Sequence, residues 1–291
     1  MEAREVSYLL RAHARTFALT LAILPRSLRE PLGVAYLLAR ASDTIADAGK
    51  ISRERRVALL EELESALAGG YPAFWSPVMM PGELDESRAK LLAAVPLLIS
   101  QLERSADRDE LLKLWRLILE GQLFDLRLFP SDEPLNREEL ERYCFLVAGS
   151  VGECWTALIA KHSPCTLLRS EEEMKRLGCD YGKGLQLLNI LRDRAEDRAM
   201  GRDYVEEGDL AELFELAEAW LRSGERYFTG LRPGRLLMGT ALPYDLALPT
   251  LWKMKQSPDA ARVRISRRDV RSVVIRGAAS LCLPRRMNPA S

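Results

Sequence analysis

Apolar residues return every three or four positions along most of the chain, as in Val34, Leu37, Leu38, Ala41 and Ile45, and again in Leu59, Leu60, Leu63 and Leu67. That period matches one face of an α-helix, and no segment shows the alternation of a half-buried strand. The pattern predicts an all-α protein, with helices over roughly 3 to 22, 28 to 48, 52 to 68, 86 to 104, 107 to 128, 137 to 161, 171 to 200, 209 to 229, 238 to 256 and 267 to 280. Helix starts carry an N-cap residue with an acid three positions on: Asn136 with Glu139, Ser170 with Glu173, Asp209 with Glu212, and Ser266 with Asp269. Pro25, Pro31, Pro130, Pro134 and Pro164 mark the joins. One long irregular stretch, GGYPAFWSPVMMPGELDES at 69 to 87, holds Phe74, Trp75, Met79 and Met80. It reads first as a loop laid on the helices and second as a flap or lipid-touching segment. With no linker in view, residues 1–291 are expected to form a single helical-bundle domain.

Composition narrows the functional classes. A chain of 291 residues, 47% hydrophobic, can bury a large core. Its 42 basic and 42 acidic residues balance, and there is no polybasic tail, which argues against nucleic acid as a partner. The five cysteines form no CxxC, and His13 and His162 lie far apart, so neither a zinc site nor a disulfide framework is suggested. The opening MEAREVSYLLRAHAR has acids among its first residues and is not a secretory signal. No run of about 18 uncharged apolar residues occurs. The expectation is a soluble, cytoplasmic protein that at most touches a membrane surface.

Against that background, two acidic patterns stand out: DTIAD at 43 to 47 and NILRDRAED at 189 to 197. Four residues advance roughly 400° around a helix, so Asp43 and Asp47 share a face, as do Asn189, Asp193 and Asp197. Acids at this spacing repel by a few tenths of a kcal/mol unless something positive compensates. Either they make surface salt bridges, or they hold a cation. Oxygen-only donors suit Mg²⁺, which completes its shell with water and substrate phosphate. Arg40 beside the first pattern, and Arg192, Arg194, Arg198 and Arg202 around the second, could grip the remaining phosphate oxygens. The combination predicts a diphosphate bound through metal between two helices of a bundle.

Glycines cost about 1 kcal/mol each inside a helix, so Gly149, Gly152, Gly182 and Gly184 require a reason. Close helix packing is one; room for a long apolar substrate is the other. Phe17, Tyr36, Tyr143 and Phe145 could line such a cavity and stabilise a cation through their ring faces. No GxxxxGK[ST], dinucleotide or GxSxG fingerprint is present, which removes the main support for nucleotide triphosphate and serine-hydrolase chemistry.

At these residues the sequence resembles the squalene and phytoene synthase family of head-to-head prenyl synthases. The matching stretches are ARTFALTLAILP (14 to 25), AYLLARASDTIADA (35 to 48), YCFLVAGSVGECW (143 to 155), LQLLNILRDRAEDRAMGRDY (185 to 204) and, more weakly, ALPYDLALPTL (241 to 251). The resemblance implies the all-α isoprenoid-synthase fold with a central substrate cavity. It implies Mg²⁺ held by Asp43, Asp47, Asn189, Asp193 and Asp197, and diphosphate contacts from Arg15, Arg40, Arg192 and Arg202. By the same likeness Tyr36 and Tyr143 face the reacting carbons, and Phe17 and Gln186 fall at pocket positions. Two departures stand out: Ala46 occupies a position where the family commonly has an acid, and Glu206 replaces a usual proline. The YLLxRxxDT context looks more like squalene synthases, implying farnesyl diphosphate as substrate and NADPH as reductant. Phytoene or dehydrosqualene synthesis, presqualene diphosphate synthesis alone, and a non-catalytic helical scaffold are the alternatives.

Overall fold

The computed structural model describes residues 2–67, 84–131, 133–256 and 273. Twelve α-helices are present among them and no strand, only an isolated antiparallel bridge between Leu167 and Leu231. They gather into two compact units: residues 1–22 with 26–128, and residues 23–25 with 129–291.

The first unit contains α1 (Glu2–His13), α2 (Arg15–Ile23), α3 (Arg26–Ala46), α4 (Arg53–Leu67), α5 (Glu86–Ala93), α6 (Val95–Glu103) and α7 (Arg108–Leu128). Its centre is α3, which touches α1, α4, α5, α6 and α7. The apolar stripe read from the sequence is the reason: Leu37, Leu38, Ala41 and Ile45 are at most 1% exposed. Two predicted helices are each broken in two. The first bends at Ala14, and the segment over 86 to 104 turns at Ala94 so that Pro96 falls in the opening turn of α6, where a missing N–H costs nothing. Pro31, expected at a join, lies inside α3 instead.

The second unit contains α8 (Arg137–Cys144), α9 (Ser150–His162), α10 (Glu171–Ala199), α11 (Leu210–Thr229) and α12 (Arg235–Gln256). A π-helical turn, Phe145–Gly149, joins α8 to α9 without a break. The Asn136 capping box is complete, with each partner bonding the other's backbone at 3.0 Å. Ser170 accepts from the Glu173 N–H at 3.3 Å. Asp209 makes no side-chain cap; at the end of a 3-10 turn its backbone is helical, where a capping residue is normally extended. The 69 to 83 part of the irregular stretch, the helix at 267 to 280 and the Ser266–Asp269 pair lie outside the described residues, apart from Val273.

The glycines of α9 and α10 serve packing. A Cβ on Gly152 would stand 2.0 Å from the Gly178 carbonyl oxygen, and one on Gly182 would stand 2.3 Å from that of Ala148. On another side of α10, a Cβ on Gly184 would meet the Leu221 backbone nitrogen at 2.7 Å. A Cβ on Gly149 would meet the Cys179 sulfur at 3.1 Å. The space left by the four missing side chains is therefore filled by neighbouring protein, and the alternative of substrate room at these positions falls away. Backbone contact fixes α10 between α9 and α11.

The continuous helix Arg137–His162 is long and apolar enough, by length and composition, to cross a membrane; 44% of its most apolar window is buried inside the protein. Within the second unit it packs on α10.

Candidate active site

Both acidic patterns end up at helix C-termini. Asp43 lies in the last turn of α3, and Asp47 follows directly, its N–H still donating to the Asp43 carbonyl at 2.9 Å. Asn189, Asp193 and Asp197 run down the last three turns of α10. A helix C-terminus carries the negative end of the macrodipole, where an anion is disfavoured and a cation is drawn in. Placing carboxylates there twice is destabilising unless positive charge answers them.

Part of the answer is arginine. The Arg40 guanidinium bonds Asp43, and Arg192 forms a two-pronged pair with Asp193, one arm at 2.9 Å. The hydrogen bond to Asp193 raises the Arg192 pKa above its ordinary value, against the opposing effect of burial. Asp43, Asn189, Asp193 and Asp197 are half-buried and Asp47 is exposed, so all keep access to solvent. Oxygen donors one turn apart, on a negative helix end, fit a hard divalent cation. Among the described residues no group of three or more His, Cys, Asp or Glu side chains converges tightly enough to hold a metal by itself.

The departure at Ala46 has a packing reason. Its side chain is buried, and its carbonyl accepts from the Arg56 guanidinium at 2.6 Å. The first pattern thus offers Asp43 and Asp47 and no third acid.

Of the aromatic candidates, Phe17 and Tyr36 lie together in the first unit, with ring centroids 4.9 Å apart. The Tyr36 hydroxyl donates to the His13 carbonyl at 2.9 Å, which fixes the ring. Tyr143 lies in the second unit, one residue before Cys144 and the π turn. Gln186 is on α10, one turn before Asn189. Arg15 is the first residue of α2. Arg202 follows the end of α10, and its N–H donates to the Asp197 carbonyl at 2.9 Å.

His13, which directly precedes the ARTFALTLAILP stretch, is a neighbour of Tyr36 that residue patterns did not single out. Its Nε2 is 3.3 Å from the Ser87 hydroxyl, and burial, followed by the nearby Arg40 charge, lowers its pKa below the ordinary 6.5. A lowered histidine pKa means that the unfolded chain takes up the proton first, so this stability is present above about pH 6.5 and is lost as pH falls toward the folded value. Between about pH 7.5 and 5.5 the thermal midpoint is expected to fall more in the wild type than in His13→Gln. Thermal denaturation at both pH values checks this, and equal falls would contradict it.

Cys144 and Cys179 do not compete for a catalytic role. Burial pushes the Cys144 thiol up to about 12 and that of Cys179 up to about 11, so neither is a thiolate at neutral pH.

A family model described as "Squalene/phytoene synthase" matches residues 10–212. Both acidic helix ends and all of the candidate residues fall inside that range. The chain is 27% identical to the squalene synthase of Bos taurus over 192 residues, which is 66% of this chain and 43% of that protein. It is 30% identical to the phytoene synthase of Arthrospira platensis over 223 residues, 73% of this chain and 63% of that one. The match therefore spans less than two thirds of either relative's own length. Among solved structures, TcSQS in complex with a ligand has the same fold at a TM-score of 0.78 and 20% identity, covering 94% of this chain and 85% of that one.

Proposed function

Because the chain belongs to the squalene/phytoene synthase family, we propose that it catalyses the head-to-head (1'–1) condensation of two farnesyl diphosphates, through presqualene diphosphate, to squalene. The observation that supports this best is the repeated design of the two helix ends, an arginine paired to the first aspartate of an i, i+4 acidic pair at a helix C-terminus. The same reading takes residues 1–291 as one synthase domain, working in the cytoplasm with at most peripheral membrane contact, as its lipid substrates would favour.

Asp43, Asp47, Asn189, Asp193 and Asp197 would hold Mg²⁺, which when bound offsets charge on the departing diphosphate. Arg15, Arg40, Arg192 and Arg202 bind phosphate oxygens and stabilise the negative charge that develops as the carbon–oxygen bond breaks. By the family likeness Phe17, Tyr36 and Tyr143 are the rings whose quadrupoles would stabilise the allylic carbocation, and Gln186 is a pocket position. The double bond of the second substrate then attacks this cation, and loss of a proton from that substrate's C1 closes the ring to give a cyclopropylcarbinyl diphosphate, which releases its own diphosphate on a second ionisation and rearranges. These cations would have to be kept from water until the product forms. Formation of squalene consumes hydride from NADPH; no described residue is assigned to that cofactor.

Phytoene or dehydrosqualene formation ends in proton loss and needs no reductant. The phytoene synthase of Arthrospira platensis, matched over more of the chain than the bovine squalene synthase, supports this as the second reading. Incubating the protein with Mg²⁺ and either farnesyl or geranylgeranyl diphosphate, with and without NADPH, separates the two. Squalene formed only with NADPH is the expected result. Phytoene or dehydrosqualene without it would establish the second reading, and no prenyl product in any arm would overturn both.

A further inference from the structure

The segment after α10 is tied down more firmly than a surface turn requires. Gly201 turns the chain with a φ of 79°, and the Asp197 carbonyl accepts from both Met200 and Arg202 N–H groups at 2.9 Å. The Arg198 guanidinium clamps Asp203 at 3.1 Å and Glu207 at 2.8 Å. At the centre, Tyr204 is only 5% exposed. Its ring stacks on Tyr143 with centroids 5.3 Å apart and planes 19° from parallel, and meets Phe129 edge-on at 5.0 Å. Tyr143 is half-buried and immediately precedes the last residue of α8, after which the π turn re-aims the helix.

We propose that Tyr204 is a positioning residue: by stacking on Tyr143 it locks that ring and the Asp197–Arg202 turn into one arrangement. Two groups from distant parts of the sequence, the tyrosine face and the arginine that follows the second acidic pattern, are thereby set by one side chain. An offset stack fixes ring orientation as well as filling volume, which an aliphatic side chain of similar size does not do. The inference rests on the assignment of Tyr143 and Arg202 to the substrate.

The test uses the full chain with Tyr204→Phe, Tyr204→Leu and Tyr143→Leu. Tryptic cleavage after Arg198 reports the hold on the turn, and kcat and KM with farnesyl diphosphate report positioning. Tyr204→Leu should be cleaved about tenfold faster and lose about tenfold to a hundredfold in kcat with little change in KM, because small misplacements of reacting groups act on the transition state. Tyr204→Phe should restore both to within about twofold, since it keeps the stacked ring. Tyr143→Leu removes the other ring and should speed the same cleavage, which decides the matter even where Tyr204→Leu fails to fold. Unchanged cleavage in both leucine variants, or damage in Tyr204→Phe equal to that in Tyr204→Leu, would overturn the proposal. If the wild type turns over no prenyl diphosphate, the proposed function fails, and the cleavage rates still decide whether Tyr204 and Tyr143 hold the turn together.

Discussion

Gly152→Ala should cost about 3 kcal/mol of folding stability, at the upper end of what overpacking normally does. The added methyl would stand 2.0 Å from the Gly178 carbonyl oxygen and 2.4 Å from its carbon. Those are backbone atoms of α10, which cannot rotate aside as a side chain can, so α9 and α10 would have to separate along their contact. The gain of about 1 kcal/mol in helix propensity over glycine is too small to offset this. For a chain of this size the thermal midpoint should drop by roughly 6–12 °C. Gly208→Ala, where nothing lies within 4 Å of the new Cβ, is the control and should change stability by less than about 0.5 kcal/mol. Thermal and denaturant unfolding of the three proteins check this; a Gly152→Ala protein as stable as wild type would show that the two helices are not in backbone contact.

Asp193→Ala should have the opposite profile, with turnover reduced by about a thousandfold or more and the fold kept. The carboxylate is assigned both to the cation and to orienting Arg192, and groups that stabilise departing charge each carry several kcal/mol of the barrier. Its structural cost is small, because the Arg192–Asp193 pair is 29% and 23% exposed and solvent screens it. The stability change should therefore stay within about 1 kcal/mol. Steady-state turnover together with a thermal midpoint checks both halves. Turnover within a few-fold of wild type would support a scaffold with no catalytic use for the acidic patterns.

The two variants differ because they probe features of different legibility. The all-α class was readable because the period of apolar residues reports the buried stripe directly, and the stripe from Val34 to Ile45 is the core of α3. Asn136 and Ser170 were readable as caps because a cap is a local contact over three residues. The break at Ala14 has no proline or glycine to announce it, and the π turn has no sequence signature. Pro31 was misread as a join because a helix can carry a proline where its surroundings absorb the lost bond. The glycines were visible from the start, but their purpose depended on which backbone lies opposite, and Gly152 faces Gly178 from a different helix. The acids of both patterns were legible through their spacing; their placement at helix C-termini required knowing where α3 and α10 stop. Tyr204 closes a stretch that matches the family, but its stacking on Tyr143 was not legible, because aromatic contacts over such a span leave no local pattern.

Joining two prenyl chains in one product is the central claim, and isotope mixing tests it most directly. The protein would be incubated with Mg²⁺ and equal amounts of unlabelled and fully deuterated farnesyl diphosphate, and the product masses read with and without NADPH. Condensation predicts a mixed-label species, one light and one heavy chain, as the most abundant product, whichever hydrocarbon or diphosphate is formed. Release of farnesol and diphosphate alone, with no mixed-mass product in either arm, would contradict it.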